Sequence, residues 1–232
     1  MNLALVLAAG RSRRFGSGVP KQFTKLRGKP VLLHSVEQFI CHQDVDSYAV
    51  VTSEEYRSRI EDLLSSLPHD PEFLQEGGET RRDSVRKGLT RAEDLSPETV
   101  LVHDSARPGV TEGIIDRLFN LYRERSDIQG VIPVLPVRNT IKQVNDIDDV
   151  ERTLNRDHLR QVQTPQLFGY KIIHRIHREW NENDANVTDD AMMVEFEGGT
   201  VSTVKGSRFN MKITYPEDLT ILESLIRFRE ED

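Results

Sequence analysis

Seven lysines and arginines (Arg11, Arg13, Arg14, Lys21, Lys25, Arg27 and Lys29) stand in the first 36 residues, and the first acid is Glu37. At the chain's average acid content that span would hold about six carboxylates, and the formal net charge of the whole is -7. The cations are threaded among glycines in LAAGRSRRFGSGVPK (7–21). Glycines bend such a loop, and the small residues Ala8, Ala9 and Gly10 let backbone N–H groups come close to a ligand. Convergent amides beside Arg or Lys then form a nest for an anion. The chemistry favoured here is phosphate binding. An ordinary solvated turn shares the glycines and charges but does not account for the missing acids. The loop is neither GxxxxGK[ST] nor GxGxxG.

Three other segments carry chemical side chains. HDSARP (103–108) follows the apolar run TVLVH directly, which puts Asp104 at a strand's end. A carboxylate beside phosphates is repelled unless a cation intervenes, so Asp104 is read as a Mg²⁺ ligand or as a partner of ribose or polyol hydroxyls. A turn cap shared with Ser105 is the plainer reading. GGETRRDS (77–84) resembles a glycine turn opening a helix, whose N-terminus favours an anion or a polar base edge; Arg81 and Arg82 read as a solvated face. FNMKIT (209–214) reads as a short strand carrying Lys212, either as an exposed edge lysine or as a ligand contact. His174 and His177 lie three apart on an expected helix, with neither a third ligand nor a carboxylate partner evident, so a zinc site is not expected. No G-x-S-x-G elbow is present.

These residues need a scaffold, and the hydrophobic pattern describes one. Leu3 to Leu7 is a short continuous apolar run of the kind buried in a parallel sheet. Similar runs recur at 48–52, 99–103 and 130–135, and amphipathic helical stretches lie between and after them at 31–40, 54–67, 80–95 and 111–125, with Thr111 expected as an N-cap. Strands alternating with helices predict right-handed crossovers and an α/β fold, a mostly parallel sheet covered by helices on both faces. Such sheets bind ligands beyond the carboxyl ends of their strands. After Pro136 the pattern changes: β-type alternation around Ile141 and Val144 with the acidic turn NDIDD predicts a hairpin leaving the sheet, roughly 137–160. Two strands, at 200–206 and 209–214, and a helix opened by Pro216 complete the chain.

With 232 residues and 37% hydrophobic content, a single domain (1–232) is expected. No apolar run approaches the roughly 20 residues of a membrane span, and Leu3 to Ala9 lacks the basic region of a secretory signal. The lone Cys41 and the 30% charged content fit a reducing cytoplasm. Overall acidity argues against nucleic acid as a partner. A local basic loop points instead to a small anion.

LAAGRSRRFGSGVPKQF, GGETRRDSV, VHDSARP, VRNTIK, QTPQLF, VTDDA and NMKITYPEDL stand in the order seen in the 2-C-methyl-D-erythritol 4-phosphate cytidylyltransferases, and the chain resembles that family over nearly its whole length. Phe15 departs from the Met common there, a packing change. The ribitol-5-phosphate cytidylyltransferases have similar HD-x-x-RP and QTPQ segments and are the alternative; a non-catalytic nucleotide sensor on the same fold is a second, disfavoured by the joint presence of Arg14, Lys21, Asp104 and Lys212. The resemblance implies a Rossmann-like sheet of the nucleotide-diphospho-sugar transferase type with a projecting β-arm, and transfer of CMP from CTP to the alcohol phosphate with divalent metal. It implies that Arg14, Lys21 and Lys212 are catalytic, and that Ala8, Ala9, Gly10, Gly78, Glu79, Ser84, Asp104 and Ser105 bind the nucleotide. Asp104, Arg107, Thr140, Arg156 and Thr164 would serve the second substrate, with Asp104 on the metal. It further implies a homodimer embraced by the arm, with Arg156 reaching the neighbour's pocket.

Overall fold

The computed structural model describes residues 1–10, 15, 19–180 and 187–231. In chain order its elements are β1 (Asn2–Leu7), the two-residue ladder of β2 (Lys25–Leu26) and β3 (Lys29–Pro30), α1 (Val31–Ile40), β4 (Ser47–Thr52), α2 (Arg57–Leu64), β5 (Leu74–Glu76), α3 (Arg81–Arg91), β6 (Thr99–Asp104) and α4 (Glu112–Glu124). They continue with β7 (Gly130–Pro136), β8 (Ile141–Val144), β9 (Val150–Leu154), β10 (Arg160–Val162), β11 (Gln166–Gly169), α5 (Tyr170–Glu179), α6 (Asp190–Phe196), β12 (Val201–Lys205) and α7 (Glu217–Glu231).

Eight strands form one sheet in the order β10-β7-β11-β6-β1-β4-β5, with β12 also paired to β7. β1 lies parallel between β4 and β6, and only β10 and β11 run against the rest. The mostly parallel, helix-covered sheet is the one the apolar runs describe. Strand alternation sends Ala4, Val6 and Ala8 to one face and Leu3, Leu5 and Leu7 to the other. The first face packs on Leu32, Val36 and Phe39 of α1 and on Ile114 and Leu118 of α4. The second packs on Val85 and Leu89 of α3, Ile173 of α5 and Val194 of α6. A fully buried leucine such as Leu5 contributes roughly 2 kcal/mol by leaving water, so strands covered on both sides are the rigid part from which the site is built.

Several local expectations change. Thr111 sits before α4 without a side-chain cap bond, whereas Thr80 makes a full capping box with Asp83 at α3. Residues 209–214 are not a strand. Their polar groups find loop partners instead: Ile213 N–H donates to Ala106 O (2.8 Å), and Thr214 N–H and Tyr215 N–H donate to the Asp218 carboxylate (2.7 and 2.8 Å). β5, β10, β11 and α6 are short elements that the pattern did not single out.

β8 and β9 form a separate two-stranded antiparallel sheet. Its turn is tied by Asn145, whose Oδ1 accepts from Ile147 N–H and Asp149 N–H, and Val144, Ile147 and Val150 are exposed on it.

Candidate active site

The carboxyl ends of β1, β5 and β6 bring three loops together around a cavity of about 700 Å³. Ala8, Ala9 and Gly10 leave β1, Gly78, Glu79 and Ser84 flank the start of α3, and Asp104 and Ser105 end β6; all line this space with Lys21 and Lys212. The loops meet at van der Waals limits. A Cβ on Gly77 would lie 2.5 Å from Ala9 Cβ, so glycine is what allows the α3 loop to close on the β1 loop. Ser84 Oγ then accepts from Gly78 N–H (3.1 Å) and donates to Thr80 O (3.0 Å), fixing the turn. Lys21 donates to Ile213 O (3.1 Å) and thereby ties the basic loop to the segment that carries Lys212. Below them Phe15 is buried among Leu26, Val31, Ile213 and Leu222.

Asp104 is the electrostatic centre. Its Oδ1 accepts from Arg81 Nε (3.0 Å) and its Oδ2 from Lys212 Nζ (2.6 Å). Burial works against the carboxylate's charge, but Arg81 and Lys212 outweigh it and hold its pKa well below the usual carboxylate range. Arg81 is therefore no solvated face. Its Nη1 also donates to Asp190 Oδ2 (2.8 Å), and Asp190 Oδ1 meets His177 Nε2 (3.1 Å), with Asp190 and His177 both buried. Asp190, too, is held below its ordinary pKa: burial opposes its charge, and Arg81 and His177 overcome that. His177 thus has the carboxylate partner not expected from its spacing, while His174 stacks on Tyr170. This chain of groups, residues 177–190–81–104, reaches from the helix layer to the cavity.

The backbone behind Asp104 is equally determined. Asp104 N–H donates to Thr164 Oγ1 (3.0 Å), and that hydroxyl faces His103 Nδ1 (3.2 Å). His103 Nε2 meets Arg107 O (3.2 Å), so a neutral ring with its proton on Nε2 satisfies both neighbours. Burial pushes the His103 pKa down to about 3. Thr164 is therefore buried behind Asp104 with its hydroxyl engaged. Gln163 Nε2 donates to Ser207 O (2.8 Å) and Asn210 O (3.1 Å), and Asn210 Nδ2 to Thr164 O (2.8 Å), clamping the Lys212 segment to the QTPQ stretch.

Arg107 lies on a second, adjoining cavity of about 420 Å³, whose wall also includes Lys212. Thr140 is exposed just before β8, and Arg156 is exposed with its Nη1 on Arg138 O (2.6 Å); neither lines the two cavities within one chain. Arg14 lies outside the described residues. Arg81 and Asp190 are the site residues that sequence reasoning missed as such, although ETRRDS and VTDDA contain them. A further group whose ligand atoms approach within 4.8 Å, His42, Asp44 and Asp116, is closed by Arg123 on Asp44 and lines neither cavity.

A family model, that of the 2-C-methyl-D-erythritol 4-phosphate cytidylyltransferase IspD, matches residues 2–228. The chain belongs to the IspD family. The 2-C-methyl-D-erythritol 4-phosphate cytidylyltransferase of Clostridium botulinum is 37% identical over 229 residues, covering 97% of each protein. The bifunctional enzyme IspD/IspF of Rhodopseudomonas palustris strain BisA53 is 40% identical over 222 residues, 95% of this chain and 54% of that protein, so the chain spans about half the length of its bifunctional relatives. Among solved structures, 4-diphosphocytidyl-2C-methyl-D-erythritol synthase from Anaerococcus prevotii superposes with a TM-score of 0.85 at 28% identity, covering 98% of this chain and 96% of that one. The Thermus thermophilus cytidylyltransferase gives a TM-score of 0.73 at 28% identity, covering 96% and 98% respectively. Among the described residues, no helix is long and apolar enough to cross a membrane.

Proposed function

We propose that this chain transfers CMP from CTP to 2-C-methyl-D-erythritol 4-phosphate, releasing pyrophosphate and forming 4-diphosphocytidyl-2-C-methyl-D-erythritol, a precursor step of non-mevalonate isoprenoid synthesis. One observation carries the reading: in an IspD-family chain, Lys21, Lys212 and Asp104 share a cavity with the small-residue edge Ala8, Ala9 and Gly10. An oxygen of the alcohol phosphate attacks the α-phosphorus of CTP. The new P–O bond forms as the bond to pyrophosphate breaks, and the leaving oxygen keeps its electron pair. No covalent enzyme intermediate is required, so the protein's work is positioning and charge neutralisation. Lys21 and Lys212 both supply cations to the cavity. Gly78, Glu79 and Ser84 supply backbone and short polar groups for a base edge, and Ser105 and Asp104 border the ribose region.

A magnesium ion fits this donor set. Asp104 lines the cavity, and Lys212, with a side chain 42% exposed, can yield Oδ2 to the metal while Oδ1 stays on Arg81. Mg²⁺ is commonly held by one or two carboxylates with phosphates and waters completing its shell. When bound it would neutralise triphosphate charge. The exposed apolar residues of the β8–β9 arm, Val144, Ile147 and Val150, support a homodimer, since a two-stranded ribbon is marginal alone. Thr140 and Arg156 would then serve the neighbour's pocket. The single cysteine supports a cytoplasmic setting. The test is pyrophosphate release with CTP, magnesium and each polyol phosphate in turn. Turnover with methylerythritol phosphate is expected; turnover with ribitol phosphate alone would replace this reading by the ribitol enzyme, and none with either would remove it.

A further inference from the structure

The second cavity carries a cation, Arg208, that the reading above does not use. Three of its wall residues, Arg107, Arg208 and Lys212, are cationic, and none is acidic. Leu135, Val162 and Met211 give it an apolar side. Lys212 borders both cavities, so an anion held in the second lies across one lysine from the triphosphate region of the first. The three cations are not equivalent. Arg107 spends its Nη1 on Asn210 O (2.9 Å) and its Nη2 on Val162 O (3.4 Å), which ties its guanidinium to the backbone of the cavity wall. Lys212 is paired with Asp104. Arg208 is exposed, stands four residues before Lys212 on the same clamped segment, and among the described residues has no ion-pair partner.

We propose that Arg208 is a binding residue for the phosphate monoester of the second substrate, acting from the same chain as Lys212. This rests on the cytidylyl-transfer reading and deepens it. A guanidinium matches a phosphate through two parallel charge-assisted hydrogen bonds, which a lysine does not reproduce. The apolar side of the cavity suits the carbon skeleton of a small branched polyol. The substrate phosphate is then held by a residue whose position is fixed by the Gln163 and Asn210 bonds that also fix Lys212, so nucleophile and transition-state cation are positioned by one loop.

Steady-state kinetics of Arg208→Ala and Arg208→Lys against wild type test this, with Arg125→Ala, a surface arginine paired to Asp127, as the control for net charge. Arg208→Ala should raise KM for methylerythritol phosphate roughly tenfold, the loss of one charge-assisted contact, with KM for CTP and kcat within about twofold. Arg208→Lys should fall between. An unchanged KM for the alcohol phosphate, or an equal rise in KM for CTP, overturns the proposal. So does a change confined to pyrophosphate product inhibition, which would assign Arg208 to the leaving group. Failure of wild type to turn over would instead reject the proposed function. In that case equilibrium binding of methylerythritol phosphate against the unphosphorylated alcohol decides for Arg208: wild type should prefer the phosphate and Arg208→Ala should not, and equal preference in both proteins refutes its role.

Discussion

Replacing Asp190 by Ala removes a buried carboxylate that holds Arg81 Nη1 at 2.8 Å and His177 Nε2 at 3.1 Å. The loss strands two donors at once. Breaking a buried ion pair from one side costs about 3–5 kcal/mol, because the remaining charge stays desolvated. Arg81 keeps Asp104 and its side chain is 28% exposed, so water relieves part of the penalty and the expected loss is about 3 kcal/mol. With a urea slope of roughly 2–3 kcal/mol per molar, the midpoint should fall by about 1 M. Trp180, the only tryptophan, packs edge-on against Phe196 of α6 and reports on this region by fluorescence. Catalysis should suffer separately. Freed from Asp190, Arg81 can contest both oxygens of Asp104 with Lys212, so kcat should drop even where the protein remains folded. A double-mutant cycle isolates the cause: in an Arg81→Met background the same replacement should cost at least about 1.5 kcal/mol less. A cycle coupling below about 0.5 kcal/mol, or a midpoint shift under about 0.3 M, would refute the claim that the pair is a buried strut.

Other consequences follow from the same geometry. Lys21→Ala should lower kcat by roughly 10²–10³-fold, as for loss of one transition-state contact, while circular dichroism stays native; near wild-type turnover would remove Lys21 from the mechanism. Gly109→Ala would place a Cβ 1.8 Å from Phe209 O, forcing the Lys212 segment outward, with an expected loss of roughly 1–3 kcal/mol and a fall in kcat. Gly113→Ala in α4, where the nearest neighbour is a flexible arginine end at 3.4 Å, should be neutral or stabilising. For pH, the folded-state pKa of His103, about 3, lies below its ordinary 6.5. The unfolded chain therefore takes up the extra proton between those values, and stability falls as pH drops through that window, by roughly 1 kcal/mol per unit from this group. The depressed carboxylates Asp104 and Asp190 lose their contribution only below about pH 4, where the unfolded acids protonate. Urea melts at pH 7 and pH 5 should thus show a smaller decline in His103→Gln than in wild type, and equal declines would show that the ring is not buried neutral.

What the sequence disclosed and what it hid divide along a physical line. Apolar runs closed by glycine announce buried parallel strands, because period and burial are properties of neighbours in the chain. The loops were legible from local signals too: Ala8, Ala9 and Gly10, and Asp104, follow such a run, Gly78 and Glu79 stand in a glycine turn that opens a helix, and all line one cavity. The FNMKIT segment was misread because its alternation is real, yet among the described residues it pairs with no strand. Its amides go to Ala106 and Asp218 instead. Arg81 was misread because a charged residue in the first turn of a helix has the same local pattern whether it meets solvent or a buried acid. Its partners lie 23 and 109 residues away, and Lys212 meets Asp104 across 108. Nothing within a helical turn of Arg81 encodes those distances. They arise only once β6, α3 and α6 have packed, and the charges can be buried because they alternate: Asp104 lies between Lys212 and Arg81, Arg81 between Asp104 and Asp190, and Asp190 between Arg81 and the buried His177 ring. Under the proposed function, a triphosphate entering this cavity would compete with Asp104 for Lys212, and the alternation explains how these charges remain stable before an anion arrives.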